Sequence, residues 1–207
     1  MSLLNLIVHP QRAYLITDSG YYGEAGVVAR LFPKSMVLEH LDVIIASAGK
    51  VHCGHLAKGV QACQHLPQAE FLEELPNIAR AAVGTYKIAG GSIIAFAAYS
   101  HERGCAFGGI FAAADDPRAY RIIPKSVMLS PGASAIDEAT LSGPSTFNPY
   151  LDLMPLIEEQ RRYNFGSPEQ PICGIAGDID MVTVSHQGIA VETIHTYHAE
   201  VGEMVAL

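Results

Sequence analysis

Residues 1–20 read MSLLNLIVHPQRAYLITDSG. Two short apolar runs, LLNLIV (3–8) and AYLIT (13–17), flank the polar turn HPQR (9–12), and the second run ends on Asp18. Short apolar runs divided by a proline-containing turn read as a β-hairpin. The chain is therefore expected to open on a strand pair with a carboxylate at its far end. Ser2 stands where the first strand begins. It is either a strand-initiating polar residue or a nucleophile exposed once Met1 is removed.

Beyond the hairpin, a glycine-rich connection, GYYGEAG (20–26), leads to VVARLF (27–32). The continuous apolar run LDVIIASAGK (41–50), closed by small residues, reads as a buried strand. VHCGHLAKGVQACQHL (51–66) has helical spacing, with Val51, His55, Leu56, Val60 and Cys63 recurring at three- and four-residue steps. A second helix is expected over 69–87, kinked or begun near Pro76. GGSIIAFAAYS (90–100) and CAFGGIFAAA (105–114) make a hairpin around HERG. AYRIIP (119–124) and SVMLSPG (126–132) make another pair of short strands, and IDEATLSG a short helix. Residues 148–164 form an amphipathic helix, with Leu153, Leu156 and Ile157 on one side and Glu158, Arg161 and Arg162 on the other. Asn148 before Pro149 is the cap-then-proline order of a helix start. GDIDMVTVSHQGIAVETIHTY (177–197) reads as two strands around HQG.

Because the strands come in hairpin pairs, a doubly wound parallel sheet fits poorly. The order predicts an α+β fold in which two antiparallel sheets carry helices on their outer faces, a four-layer α-β-β-α sandwich. At 207 residues a single domain spanning 1–207 is expected, large enough for a substantial core.

Hydrophobic residues make up 49% of the chain and charged residues 16%. With a mean hydropathy of +0.21, much of the surface is expected to be covered by a partner chain or by stacked layers. The net charge of −8 argues against nucleic acid, which needs a basic face to displace counterions. No apolar run approaches the ~20 residues of a membrane-spanning helix. The start lacks a basic segment followed by an apolar stretch, so no secretory signal is expected. A cytoplasmic protein without membrane or nucleic-acid partners is the resulting expectation.

Cys53, Cys63, Cys105 and Cys173 form no CxxC pair and read as buried free thiols. His52, Cys53, His55, Cys63 and His65 are close in sequence; His52 and His55 stand at i, i+3 on a helix, but Cys63 and His65 face different directions, and the spacing does not match a zinc site. His195 and His198 read as exposed strand or tail residues. Asp115 and Asp116, followed by Pro117, read as a turn. No phosphate loop or nucleophile-elbow motif is present, and no cofactor is called for.

Set out in this order, the chain resembles the proteasome β-subunit family, which takes in the HslV peptidase and Anbu-type proteins within the N-terminal-nucleophile hydrolases. LITDSG is similar to the family's LAADSR-type segment, and ARLFP (29–33) to its KIFP or KIHP segment. DVIIASAGK (42–50) is similar to the strand whose small-residue turn opens the first helix, and GDIDMVTVSHQGI (177–189) to the late GGxVDVxVITKDGV hairpin. The resemblance implies a peptidase or amidohydrolase of the threonine/serine type. Its nucleophile becomes the N-terminus after processing, and the free α-amine, which titrates near neutrality, relays the hydroxyl proton. The family's aspartate lies sixteen residues beyond the nucleophile, which maps to Ser2 and Asp18.

The resemblance also implies a lysine about sixteen residues further on. Counting gives Lys34; the pattern of a cation, an apolar residue and then F-P gives Arg30. Strand register favours Arg30, so the expected set is Ser2, Asp18 and Arg30. An arginine there orients a group or stabilises an anion but accepts no proton, and it would pair with Asp18 as a salt bridge. The family's supporting serine maps near Ser130 or Ser134, with Ser130 the position taken. Its Asp and Ser before the last hairpin have no counterpart in QPICGIAG (170–177), where the first acid is Asp178.

A second role is implied on the same fold: a non-catalytic structural or assembly subunit of a ring, shell or phage-like particle. Both roles imply a homo-oligomer, contacting through 51–66 and 69–87, with a peptide substrate or other assembly subunits as partners.

Overall fold

The opening hairpin forms where the apolar runs place it. Strands β1 (Leu4–His9) and β2 (Arg12–Asp18) pair antiparallel, Leu4 opposite Thr17 and His9 opposite Arg12. The computed structural model describes residues 2–23, 27–88, 90–113, 120–132, 136–162 and 174–203. Met1, Asp115, Asp116, Pro117, Ser134, Cys173 and the first part of QPICGIAG lie outside the described residues.

A small ribbon follows, β3 (Gly20–Tyr22) against β4 (Val28–Leu31). Strands β5 (Ser35–Leu38), β6 (Val43–Gly49), β7 (Ser92–Ser100), β8 (Cys105–Ala113) and β9 (Ile123–Pro124) form one five-stranded sheet in that order. Helices α1 (Cys53–Cys63) and α2 (Gln68–Tyr86) are inserted between β6 and β7. The chain then crosses to the first sheet as β10 (Val127–Ser130), passes through helices α3 (Glu138–Ser142) and α4 (Pro149–Arg162), and closes with β11 (Gly177–Ser185) and β12 (Gly188–Tyr197). That sheet runs β10-β1-β2-β11-β12. The described residues thus form a mixed α+β fold with three antiparallel sheets and four helices.

The period-2 alternation of the strands sorts their side chains into separate cores. Leu4, Leu6, Ala13, Leu15, Val182 and Val184 of one large sheet pack on Ile44, Ala46, Ala48, Ala95, Ala97 and Ala106 of the other. The opposite face of the second sheet, with Val43, Ile45, Ile94, Phe96 and Phe111, packs on Leu56, Phe71, Leu75 and Ile78 of α1 and α2. The opposite face of the first sheet, with Leu3, Ile7, Ile16 and Ile179, packs on Leu141, Leu153, Leu156 and Ile157 of α3 and α4. Between the sheets, leucines meet alanines, and Gly108 leaves no room for a side chain. A Cβ there would stand 2.9 Å from Phe96 O, 3.0 Å from Val8 Cγ2 and 3.1 Å from Leu6 Cδ1.

One polar tie crosses the core under α4. Asn5 and Gln160 exchange amide hydrogen bonds, each at 2.8 Å, and both are buried. At the start of the same helix, Asn148 Oδ1 accepts from the Tyr150 N–H at 3.0 Å, while the Asn148 N–H donates to Asp152 Oδ2 at 2.6 Å. The cap-then-proline reading of the sequence matches this geometry.

Three features depart from the sequence reading. The GYYGEAG connection contains strand β3, and β5 arises in a stretch assigned no element. The short strands after residue 119 do not pair with each other: β9 adds to β8, whereas β10 adds to β1. Helix α2 begins at Gln68 and contains Pro76, so it does not begin at the proline; Phe71, Leu72, Leu75, Ile78 and Ala79 are buried along it. That burial outweighs the single backbone bond the proline removes. No described helix is long and apolar enough to cross a membrane.

Candidate active site

Asp18 ends β2 and is fully enclosed. Its carboxylate is surrounded by donors drawn from four parts of the chain. Oδ1 accepts the Leu3 N–H at 2.8 Å and Lys34 Nζ at 2.6 Å. Oδ2 accepts the Gly20 N–H at 3.2 Å, the Tyr22 hydroxyl at 3.2 Å and the Ala176 N–H at 3.5 Å. Charge-assisted bonds of this kind are the strong ones, and together they fix the carboxylate in one orientation.

Lys34 lies in the Phe32–Lys34 turn between β4 and β5, and its side chain is only 1% exposed. Its ammonium also lies 5.1 Å from the Tyr21 ring centroid and 5.7 Å from that of Tyr22. Its backbone is anchored too, the Lys34 carbonyl accepting from Cys53 Sγ at 3.0 Å and from the Ser47 N–H at 3.4 Å. Burial pushes the Lys34 ammonium below its ordinary range, opposed by Asp18. Burial pushes the Asp18 carboxyl up, opposed first by Lys34 and then by the backbone N–H groups of Leu3 and Ala176. Beside the pair, burial raises the Cys53 thiol to about 11, against hydrogen bonds from Ser47 that lower it. That thiol is a packed neighbour and no thiolate nucleophile.

The start of β11 completes the site. The Ser19 N–H donates to Asp178 O at 2.9 Å, the Asp178 N–H donates to Ser19 Oγ at 2.8 Å, and the Phe32 N–H donates to Ser19 O at 3.0 Å. Gly177 has φ +74°, and a Cβ on it would stand 2.2 Å from Ser19 Oγ, so only glycine fits this position.

Of the residues singled out in the sequence, Ser2 is half-buried and directly precedes Leu3, the residue Asp18 holds. Arg30 is a correction: it lies exposed on β4 opposite Tyr21, and the cation on Asp18 is Lys34. The reason is local. Strand β4 ends at Leu31, before F-P, so the buried cation is delivered by the turn after Pro33 and the residue count holds where the motif does not. Ser130 ends β10 opposite Leu4, on the far side of β1 from Thr17. Asp178 faces outward and accepts from Thr196 Oγ1 at 2.7 Å. His52 and His55 stack with centroids 3.5 Å apart, and His55 lies against Tyr86. His195 packs on Tyr197, and His198 is exposed beside Glu200. Among the described residues, no three His, Cys, Asp or Glu side chains converge as metal ligands.

Tyr21 and Tyr22 were missed in the sequence reading. A glycine-flanked tyrosine pair gives no strand pattern over three residues, and only the paired carboxylate reveals what Tyr22 does. The set as a whole offers a shielded carboxylate, a lysine whose proton affinity is lowered by burial, and a serine next in the chain to Leu3, whose N–H that carboxylate holds. Compared with known proteins, the chain matches no family model, and no curated protein matches it at a significant level.

Proposed function

We propose that the chain is a proteasome-like N-terminal-nucleophile hydrolase subunit that cleaves amide bonds with Ser2. The observation that carries this reading is the Asp18–Lys34 pair, joined at 2.6 Å through the same carboxylate oxygen that holds Leu3. Ser2, Asp18 and Lys34 follow one another at intervals of sixteen residues, the spacing that the family resemblance implies. The three cores, helices to sheet, sheet to sheet and sheet to helices, support the four-layer arrangement of that family. Ser130 beside Leu4 supports it as well.

In this mechanism, removal of Met1 frees the α-amine of Ser2. Ser2 Oγ attacks the amide carbonyl, and its proton passes to the α-amine, whose ordinary pKa of about 7.7–8.0 suits that exchange. The Lys34 cation lowers the cost of negative charge on Oγ, and Asp18 fixes that cation. The amine then returns the proton to the leaving nitrogen as the C–N bond breaks. Water hydrolyses the ester by the reverse relay, with the substrate an exposed peptide or small amide. Self-association of the chain belongs to the same reading.

Intact mass of the purified protein tests it. The expected result is a chain lacking the mass of one methionine, with Ser2 modified by a hydroxyl-directed acylating agent and no modification in Ser2→Ala. A chain that keeps Met1 in most molecules overturns the hydrolase reading and leaves a non-catalytic assembly subunit.

A further inference from the structure

Tyr22 and Tyr21 stand side by side at the candidate site, yet only Tyr22 has an acceptor there, Asp18 Oδ2. The Tyr21 hydroxyl is buried and finds no hydrogen-bond partner among the described residues. Thr17 Oγ1, next to Asp18 in the chain, and Nδ1 of His52, whose ring meets that of Tyr21, are in the same condition. Buried donors are nearly always satisfied, so orphans beside a reactive pair point to a group that arrives later. The Tyr21 ring is packed between aromatic neighbours. It stacks on Phe32 at 4.0 Å with planes 16° apart, and meets His52 edge-on at 5.5 Å. Burial, Cys53 and Asp18 all hold its proton on, so the hydroxyl keeps a hydrogen to donate.

We propose that Tyr21 is a substrate-binding donor, whose hydroxyl hydrogen-bonds the acyl oxygen of the amide presented to Ser2. The inference rests on the reading of Ser2 as nucleophile. As Oγ–C forms, the carbonyl oxygen becomes an oxyanion, and a neutral phenol aimed at it binds it more tightly than the ground state. Tyr21 keeps its own proton throughout; the Ser2 proton leaves with the amine. The ribbon β3–β4 that carries Tyr21 belongs to neither five-stranded sheet, and its outer strand is exposed from Ala29 to Leu31. The Tyr21 ring lies 5.1 Å from Lys34 Nζ, and contact of the hydroxyl with the bound acyl group requires that ribbon to shift.

The test is Tyr21→Phe in the full chain, acylated with a β-lactone and followed by intact mass, with Ser2→Ala as the blank. In that reaction Ser2 Oγ bonds to the lactone carbonyl, the ring C–O bond breaks, and the ring oxygen leaves as a hydroxyl carrying the serine's proton. The expected result is an acylation rate lower by about 100-fold or more, the loss seen when one oxyanion donor is removed. The unfolding midpoint should stay level or rise, because no native hydrogen bond is lost. A rate within about 3-fold of wild type overturns the proposal. So does a midpoint lower by more than about 4 °C, which would give the hydroxyl a structural partner. If the wild-type chain is not acylated on Ser2, the nucleophile reading fails and this inference falls with it. A wild-type chain that reacts normally beside an unaffected variant removes the Tyr21 role alone.

Discussion

Lys34 Nζ lies 2.6 Å from Asp18 Oδ1 with both side chains closed to solvent, and that oxygen also takes the Leu3 N–H. A single carboxylate oxygen therefore ties the turn after β4 to the residue following Ser2. Lys34→Met leaves the enclosed Asp18 without its cation and is expected to cost about 3–5 kcal/mol, the range for a broken buried pair. Urea unfolding measures it. The double variant Lys34→Met, Asp18→Asn should lose less than the sum of the single changes, because no bare charge remains. Strict additivity would show that the two groups are not coupled.

Arg30→Ala should leave stability within about 0.5 kcal/mol, as expected for an exposed side chain away from buried networks. Ser2 acylation should be equally indifferent to it, whereas Lys34→Met should abolish it. The comparison separates the residue chosen by motif from the residue chosen by count.

Cys53 is enclosed and its thiol titrates near 11, while Cys63 and Cys105 are partly exposed. Iodoacetamide at neutral pH should label Cys63 and Cys105 in the native protein, and Cys53 only after unfolding. The sign of the pH effect follows from the same shift. The folded thiol holds its proton above the ordinary 9.0, so Cys53 contributes fully below about pH 9, and that contribution is lost as pH rises toward 11. Cys53→Ala should flatten that part of the stability curve.

Gly108→Ala places a methyl group where the two large sheets approach, against Phe96 O, Val8 and Leu6. A destabilisation of about 1–3 kcal/mol is expected, the usual cost of overpacking. Gly84→Ala, where nothing stands within 4 Å, is the control and should stabilise by up to about 1 kcal/mol through helix propensity.

Much of the architecture could be read from the chain because β1, β2, β6, β7, β8, β11 and β12 each carry an unmistakable apolar pattern. The first helix pair and α4 carry helical spacing. The short elements were harder. Strand β3 has three residues, two of them tyrosines, and β5 is half-buried over Ser35–Val37 and buried only at Leu38, so neither shows a period. Partner choice was not legible for β9 and β10, since local sequence does not say which sheet edge a short strand will meet. At the site, Asp18 was legible from its place at a strand end. Lys34 was visible only as a count, because its burial depends on a tertiary turn that no local motif encodes.

The route of the chain between the sheets has a consequence for synthesis. The second sheet comes wholly from residues 35–124, whereas the first is assembled from both ends and one short central strand. As the polypeptide leaves the ribosome, the middle sheet with α1 and α2 can close early. The opening hairpin must wait, with the outer edge of β2 bare, until β11 is made some 160 residues later. The N–H of Ala176 and the Asp178–Ser19 clasp arrive with that same segment. Asp18 and Lys34 thus acquire their finished surroundings only once residues 176–178 have emerged, so on the proposed reading Ser2 stays inert on the nascent chain until that segment is made.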